Sequence, residues 1–195
     1  MLLLNALYYG QTQYLKNWLT ICPRRQFTTL DTHDGIGVVD VKDLLPDEEI
    51  ERTKEDIFKF GANVKKIYNT AAYNNLDVYQ VNCTYYSAVG DDDASYLLAR
   101  AVQFFAPGIP QVYYVGMLAG KNDLKLLEET KEGRNINRHY YSVDEIEEET
   151  RRPVVQKLLA MMRFRNEAEA FDGSFELLPC SEQELKIRRC SSNGD

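Results

Sequence analysis

Hydrophobic and polar positions alternate along this chain with two periods, and the changes between them divide it into elements. Within Leu2 to Leu19, apolar residues at Leu3, Leu7, Leu15, Trp18 and Leu19 fit a helix that is broken near Gly10 and ended by Pro23. Gln26 to Leu30 reads as a buried strand, after which Gly35 and Gly37 open a loop rather than a hairpin. Pro46 starts a strongly polar helix that ends near Phe60, with Gly61 just past its stop, and its charges form a solvated face. Asn74 and Asn75 mark a loop. Asp91, Asp92 and Asp93 then supply an N-cap and dipole-matched acids for a helix whose apolar face is expected at Leu97, Leu98, Ala101, Val102, Phe104 and Phe105.

Pro107 and Gly108 stop that helix, and Ile109 to Val115, β-branched and aromatic, reads as a second buried strand with Pro110 near its start. Gly116 and Gly120 reopen the chain into a long loop. Ser142 with Glu145 has the capping-box pattern, and Thr150 with Pro153 starts a helix through Val154, Leu158, Met161, Met162 and Phe164, with Gly173 beyond its end. From Ser174 the period becomes two: Phe175, Leu177, Leu185 and Ile187 alternate with polar residues around a Ser181-Glu182 turn, as in an antiparallel hairpin. That change is a candidate domain boundary. The order helix, strand, loop, helix, strand, loop, helix is the repeat of a (β/α) barrel, which closes only with eight units and about 250 residues. Two such strands imply either a small α/β unit completed by other means or part of a larger barrel.

Composition narrows the function classes. The 195 residues are 44% hydrophobic and 27% charged, ordinary for a globular chain with one core. A formal charge of −7 leaves no basic stripe for nucleic acid. The apolar start, Met1 to Leu7, lacks a basic leader and is too short for a membrane span, so a cytoplasmic location and reduced thiols are expected. Cys22, Cys83, Cys180 and Cys190 have no metal-ligand spacing and only two histidines to complement them, so neither a metal nor another cofactor is expected. Asn82-Cys83-Thr84 formally matches a glycosylation acceptor, with no secretory signal to accompany it.

The candidate chemistry lies in Leu30 to Gly37, LDTHDGIG, where carboxylates flank an imidazole at the end of a strand and glycines allow a tight turn. From these residues alone two readings stand. Asp34 and His33 form a catalytic site, or Asp34 caps a turn and His33 is held by backbone groups.

Four segments resemble sucrose phosphorylases and their relatives in the α-amylase family of glycoside hydrolases: LDTHDGIG, LDVYQVNCTYYSAVGDDD from Leu76, PGIPQVYYVGMLAGKND from Pro107 and GRNINRHYY from Gly133. The resemblance implies retaining glucosyl transfer from an α-glucoside to phosphate. In that reaction a carboxylate nucleophile takes the glucosyl group and a carboxylic acid protonates the leaving sugar, the two being about 5 Å apart. It implies a transition-state stabiliser at Asp34 with its neighbour His33, a glucosyl-holding arginine at Arg138, and an acceptor loop at Asp77, Tyr79 and Gln80. Neither the nucleophile nor the acid has a matching position in this sequence.

The implied fold is an α/β chain. Residues 1–170 would form the last βα units of a (β/α)8 barrel, with strands seven and eight, and 171–195 the opening strands of an antiparallel β domain. The expected partners are an α-glucoside and phosphate, with self-association or a complementary barrel piece covering the open flanks. Two function classes follow: a phosphorylase fragment unable to turn over by itself, acting on sucrose, sucrose phosphate or glucosylglycerate, or a non-catalytic association module. For Arg138 the structural alternative is a pair with Asp123 or with a glutamate at 145–149. Tyr79 and Gln80 have the alternative of merely lining a loop.

Overall fold

The computed structural model describes residues 1–62 and 80–192. The loop expected at Asn74 and Asn75, and the candidate residues Asp77 and Tyr79, lie outside them.

Gly10, in the left-handed region at φ 65°, ends α1 (Leu2–Tyr9), and α2 (Gln13–Ile21) follows, so the expected break falls where a residue without Cβ permits it. α3 (Asp47–Lys59) begins after Pro46 with three acids in its first turn, matching the helix dipole. Its apolar residues Ile50 and Ile57 face α1, where the buried Asn5 amide donates to Glu49 at 2.8 Å and to Thr53 at 3.1 Å.

The two expected strands are much shorter than their sequence pattern. β1 (Phe27–Thr28) pairs in parallel only with β4 (Ile109–Pro110), Phe27 opposite Ile109 and Thr28 opposite Pro110. The pair is buried on one face only, where Thr28 is 8% exposed, while Phe27 is 71% exposed and Ile109 61%. Pro110 has no N–H for a further ladder bond, and the chain then turns into α6 (Tyr114–Met117). β-branched and aromatic runs report burial in a complete sheet, and among the described residues this pair has no strand on its other edge.

The segment after Leu30 corrects the expectation of an open loop. Thr32 and Gly35 exchange two backbone hydrogen bonds, both 3.0 Å, so His33 and Asp34 form the tip of a tight two-residue turn. β2 (Ile36–Gly37) then pairs antiparallel with β3 (Gln80–Val81).

α4 (Tyr85–Ala88) leads into α5 (Asp93–Phe105), capped by the Asp92 carboxylate on Ser95 N–H. The buried face of α5 is only partly the expected one: Phe104 is buried and Leu97, Val102 and Phe105 pack against the core, but polar residues join them. Leu98 is 54% exposed, while Tyr96, Ala99, Arg100, Gln103 and Phe104 are buried. A polar stripe takes that face because its groups are satisfied there. Arg100 meets Asp31 at 2.9 Å and Gln103 at 2.9 Å, Gln103 donates to the carbonyls of Thr28 and Gln111, and Tyr96 hydroxyl donates to Gly116 carbonyl. Gly116 permits this approach, since a Cβ there would lie 2.2 Å from the Arg100 guanidinium.

The long loop expected after Gly120 instead holds a helix and a 3-10 turn, whereas the elements beyond it follow the sequence closely. α7 (Leu124–Thr130) is capped by Asp123, and a 3-10 turn spans Gly133–Asn137. α8 (Val143–Glu149) carries both bonds of the Ser142/Glu145 capping box, and α9 (Pro153–Glu167) has Pro153 in its first turn and packs Val154, Val155 and Leu158 inward. The expected hairpin is β5 (Ser174–Leu178) with β6 (Lys186–Cys190). Its turn is tied to α2's entry by Thr12, whose N–H and hydroxyl both donate to Glu182 carbonyl.

All four cysteines are free, with Cys22 and Cys83 buried and Cys180 and Cys190 half-exposed. Burial pushes the Cys83 thiol up to about 12 and the Cys22 thiol up as well. A thiol titration at pH 8 is therefore expected to find two reactive groups in the native chain, and the other two only in denaturant. The Asn82-Cys83-Thr84 sequence is buried, so its asparagine is inaccessible in the fold. Among the described residues no helix is long and apolar enough to cross a membrane, and no three His, Cys, Asp or Glu side chains are placed to hold a metal.

Candidate functional site

The turn at His33 and Asp34 is built from both of its neighbours. Behind it, Asp31 is almost fully buried, accepting Arg100 on one oxygen and Tyr85 N–H, at 3.1 Å, on the other. Burial alone would favour loss of the Arg100 proton, but Tyr96 and Asp31 outweigh it and raise its pKa further. A buried charged pair, with the guanidinium also bonded to Tyr96 and Gln103, fixes the strand end from which the turn projects.

The turn itself is closed by Thr32, whose hydroxyl accepts from Asp34 N–H at 3.1 Å. Gly35 has φ +104°, and a Cβ there would lie 2.2 Å from Val81 carbonyl, so only glycine fits where β3 passes. From that side Asn82 donates to Asp34 carbonyl at 2.9 Å. From the other side Asn137 donates to the carbonyls of Thr32 and His33, at 3.1 and 3.0 Å, and Arg138 Nε to His33 carbonyl at 2.8 Å. The backbone of the turn is thus held by three side chains from two distant segments.

The Asp34 carboxylate is left 30% exposed among basic side chains. Oδ1 lies 3.2 Å from the guanidinium of Arg138 and 3.2 Å from that of Arg134, and Oδ2 lies 3.3 Å from His33 Nε2. Such partly exposed pairs contribute at most about 1 kcal/mol each to stability. Their effect is on the carboxylate itself: it is held in one orientation, with part of its surface open toward solvent. A group of this kind can accept hydrogen bonds from vicinal hydroxyls and stabilise developing positive charge beside it.

Of the residues singled out in the sequence, His33, Asp34 and Arg138 come together here. Gln80 sits in β3 opposite Gly37, where it lines a cavity of about 290 Å³ behind the turn together with Thr32, Gly35 and Tyr85. Arg138 does not take the alternative partners: Asp123 and Glu145 are occupied by His139, at 2.5 and 3.6 Å. Arg134, Asn82 and Asn137 escaped the sequence reading. For Arg134 a signal existed, because GRNINR puts two arginines four residues apart, one helical turn. The two asparagines act through amides on backbone carbonyls, which leaves no pattern in the chain.

No family model matches the chain. It is 60% identical over 196 residues to the sucrose phosphorylase of Streptococcus mutans serotype c, the match covering 100% of this chain and 41% of that protein. It is 50% identical over 177 residues to the glucosylglycerol phosphorylase of Marinobacter adhaerens, covering 90% of this chain and 37% of that one. The fold superposes on the crystal structure of sucrose 6F-phosphate phosphorylase from Thermoanaerobacter thermosaccharolyticum with a TM-score of 0.87 at 47% identity, over 95% of this chain and 37% of that chain. The chain spans 37–41% of the length of these relatives, and over that share it is similar to sucrose phosphorylases and related phosphorylases.

Proposed function

We propose that this chain supplies the sugar-gripping third of the carboxylate set of a retaining α-glucoside phosphorylase, converting sucrose and phosphate to α-glucose 1-phosphate and fructose. The observation that carries this is Asp34 itself, a partly exposed carboxylate at a turn tip between Arg134, Arg138 and His33. In the proposed reaction Asp34 accepts hydrogen bonds from glucosyl hydroxyls, and its charge stabilises the oxocarbenium-like ring in both half-reactions. Arg138 and Arg134 hold it, and Asp77, Tyr79 and Gln80 belong to the acceptor loop. A nucleophilic carboxylate and a general acid come from residues outside this sequence, so the chain by itself binds sugar without turnover. Residues 1–170 are part of a (β/α)8 barrel, 171–195 open a β domain, and the setting is cytoplasmic. The acceptor is phosphate and the leaving sugar is fructose, with fructose phosphate, glycerate and glycerol as the alternative leaving groups. Binding is tested by titrating glucose into 15N-labelled chain: resonances of His33 to Gly35 are expected to shift, and Asp34→Ala, which removes the hydrogen-bonding group, to abolish the shifts. Unchanged spectra at saturating sugar would refute it.

A second reading, an association module, is favoured by one observation: Phe27 and Ile109 stand side by side on the parallel pair and are exposed. Parallel strands are covered on both faces in stable folds, so this face seeks a second copy or a complementary barrel piece. Light scattering at micromolar concentration is expected to give a mass above that of one chain, reduced by Phe27→Asp with Ile109→Asp. A monodisperse monomer of the unmodified chain would rule it out.

A further inference from the structure

The guanidinium of Arg138 reaches Asp34 from a short segment that is pinned on both sides. Before it, Asp123 N–H donates to Ile136 carbonyl at 2.7 Å. After it, His139 Nδ1 lies 2.5 Å from Asp123 Oδ2, and His139 Nε2 lies 3.6 Å from Glu145 Oε1. The His139 carbonyl accepts from Tyr114 hydroxyl at 2.7 Å, and the imidazole packs edge-on against Tyr141 with centroids 4.4 Å apart.

Neither carboxylate is free to follow the ring. Asp123 caps α7 through Leu126 N–H at 2.8 Å, and Glu145 accepts Ser142 N–H at 2.7 Å in the capping box of α8. Two helix starts therefore provide fixed points, and the imidazole spans them. Its only covalent neighbour toward the turn is Arg138.

We propose that His139 is a positioning residue for the candidate sugar site, fastening the segment through Asp123 so that Arg138 is held against His33 carbonyl and the Asp34 carboxylate. It acts through Arg138 and does not touch sugar. The Asp123 carboxyl agrees with a donor at this place: burial works against its charge, but N–H of Leu126 and the His139 ring more than offset that and lower its pKa. Without the imidazole, the tie to Asp123 and Glu145 is lost, leaving downstream the Tyr114 bond to the His139 carbonyl, and partly exposed pairs such as Arg138 with Asp34 are too weak to fix the side chain's angle.

The inference deepens the phosphorylase reading, but its geometry can be tested without it. The probe is solvent exchange of the Arg138 Nε–H in the 15N-labelled chain. His139→Gln, whose amide extends beyond the Nδ1 position, is expected to speed that exchange about tenfold, the scale of one lost hydrogen bond. His139→Asn, whose amide nitrogen sits where Nδ1 does, is expected to restore it to within about twofold. Exchange of α5 amides is expected to be unchanged in both. Equal Arg138 exchange in the two variants would overturn the proposal, as would loss of protection throughout α5, which would mark a purely structural residue. Glucose affinity read on the same samples separates the two ideas. Faster Arg138 exchange with unaltered affinity supports the positioning role and removes Arg138 from the sugar site.

Discussion

Replacing Arg100 with methionine is expected to lower the unfolding free energy by about 3–5 kcal/mol, the cost of leaving a buried carboxylate without its partner. Asp31 is 3% exposed and Arg100 fully buried, so water cannot replace the guanidinium. The same side chain also donates to Tyr96 hydroxyl and to Gln103, which in turn holds the carbonyls of Thr28 and Gln111. Removing it therefore unties β1, β4 and the start of the Asp34 turn together. Adding Asp31→Asn is expected to recover a large part of the loss, because the orphaned charge disappears. Urea unfolding of the two single variants and the double variant gives the coupling directly, and additive losses would contradict the buried-pair account.

Asp34→Asn is expected to behave oppositely, with stability changed by less than about 1 kcal/mol because the carboxylate is partly exposed. Its effect falls on chemistry. In a complex of this chain with the part of the Streptococcus mutans sucrose phosphorylase that lies outside the match, the substitution is expected to lower kcat by about 10²–10³, the scale for loss of a group aimed at transition-state charge. An amide has nearly the same shape and can still bond to a hydroxyl, so ground-state sugar binding in the complex falls less than kcat. Steady-state kinetics on the complex separate the two, and an unaltered kcat would exclude Asp34 from charge stabilisation.

The contrast between these two acids explains what the sequence disclosed. Element ends were legible because they depend on local stereochemistry: Gly10 in the left-handed region, Asp92 and Ser142 as caps, Pro153 in a first turn. The β5–β6 hairpin was legible from its period of two. Strand lengths were not, because composition around Phe27 and Ile109 records a covered sheet and those two residues stand exposed. The inward face of α5 was misread in part because Arg100 and Gln103 look like surface residues until Asp31, Thr28 and Gln111 are brought beside them.

At the site, the residues alone pointed to His33 and Asp34, and the resemblance added Arg138, which periodicity would not have. What joins them are contacts across about a hundred residues, such as Arg138 to His33 carbonyl and Asn137 to Thr32 carbonyl. Local pattern carries no trace of such contacts. The role of Asn82 was hidden for the same reason, behind a formal glycosylation match that the fold buries.

The central claim, that this chain contributes Asp34 to a reaction whose other carboxylates lie elsewhere, is tested most directly by assaying α-glucose 1-phosphate release from sucrose and phosphate. The chain is purified from a host without sucrose phosphorylase and measured alone and with the complementary part of the Streptococcus mutans enzyme. No release by the chain alone, and release that requires both Asp34 and the added part, is the predicted result. Release by the chain alone would contradict it.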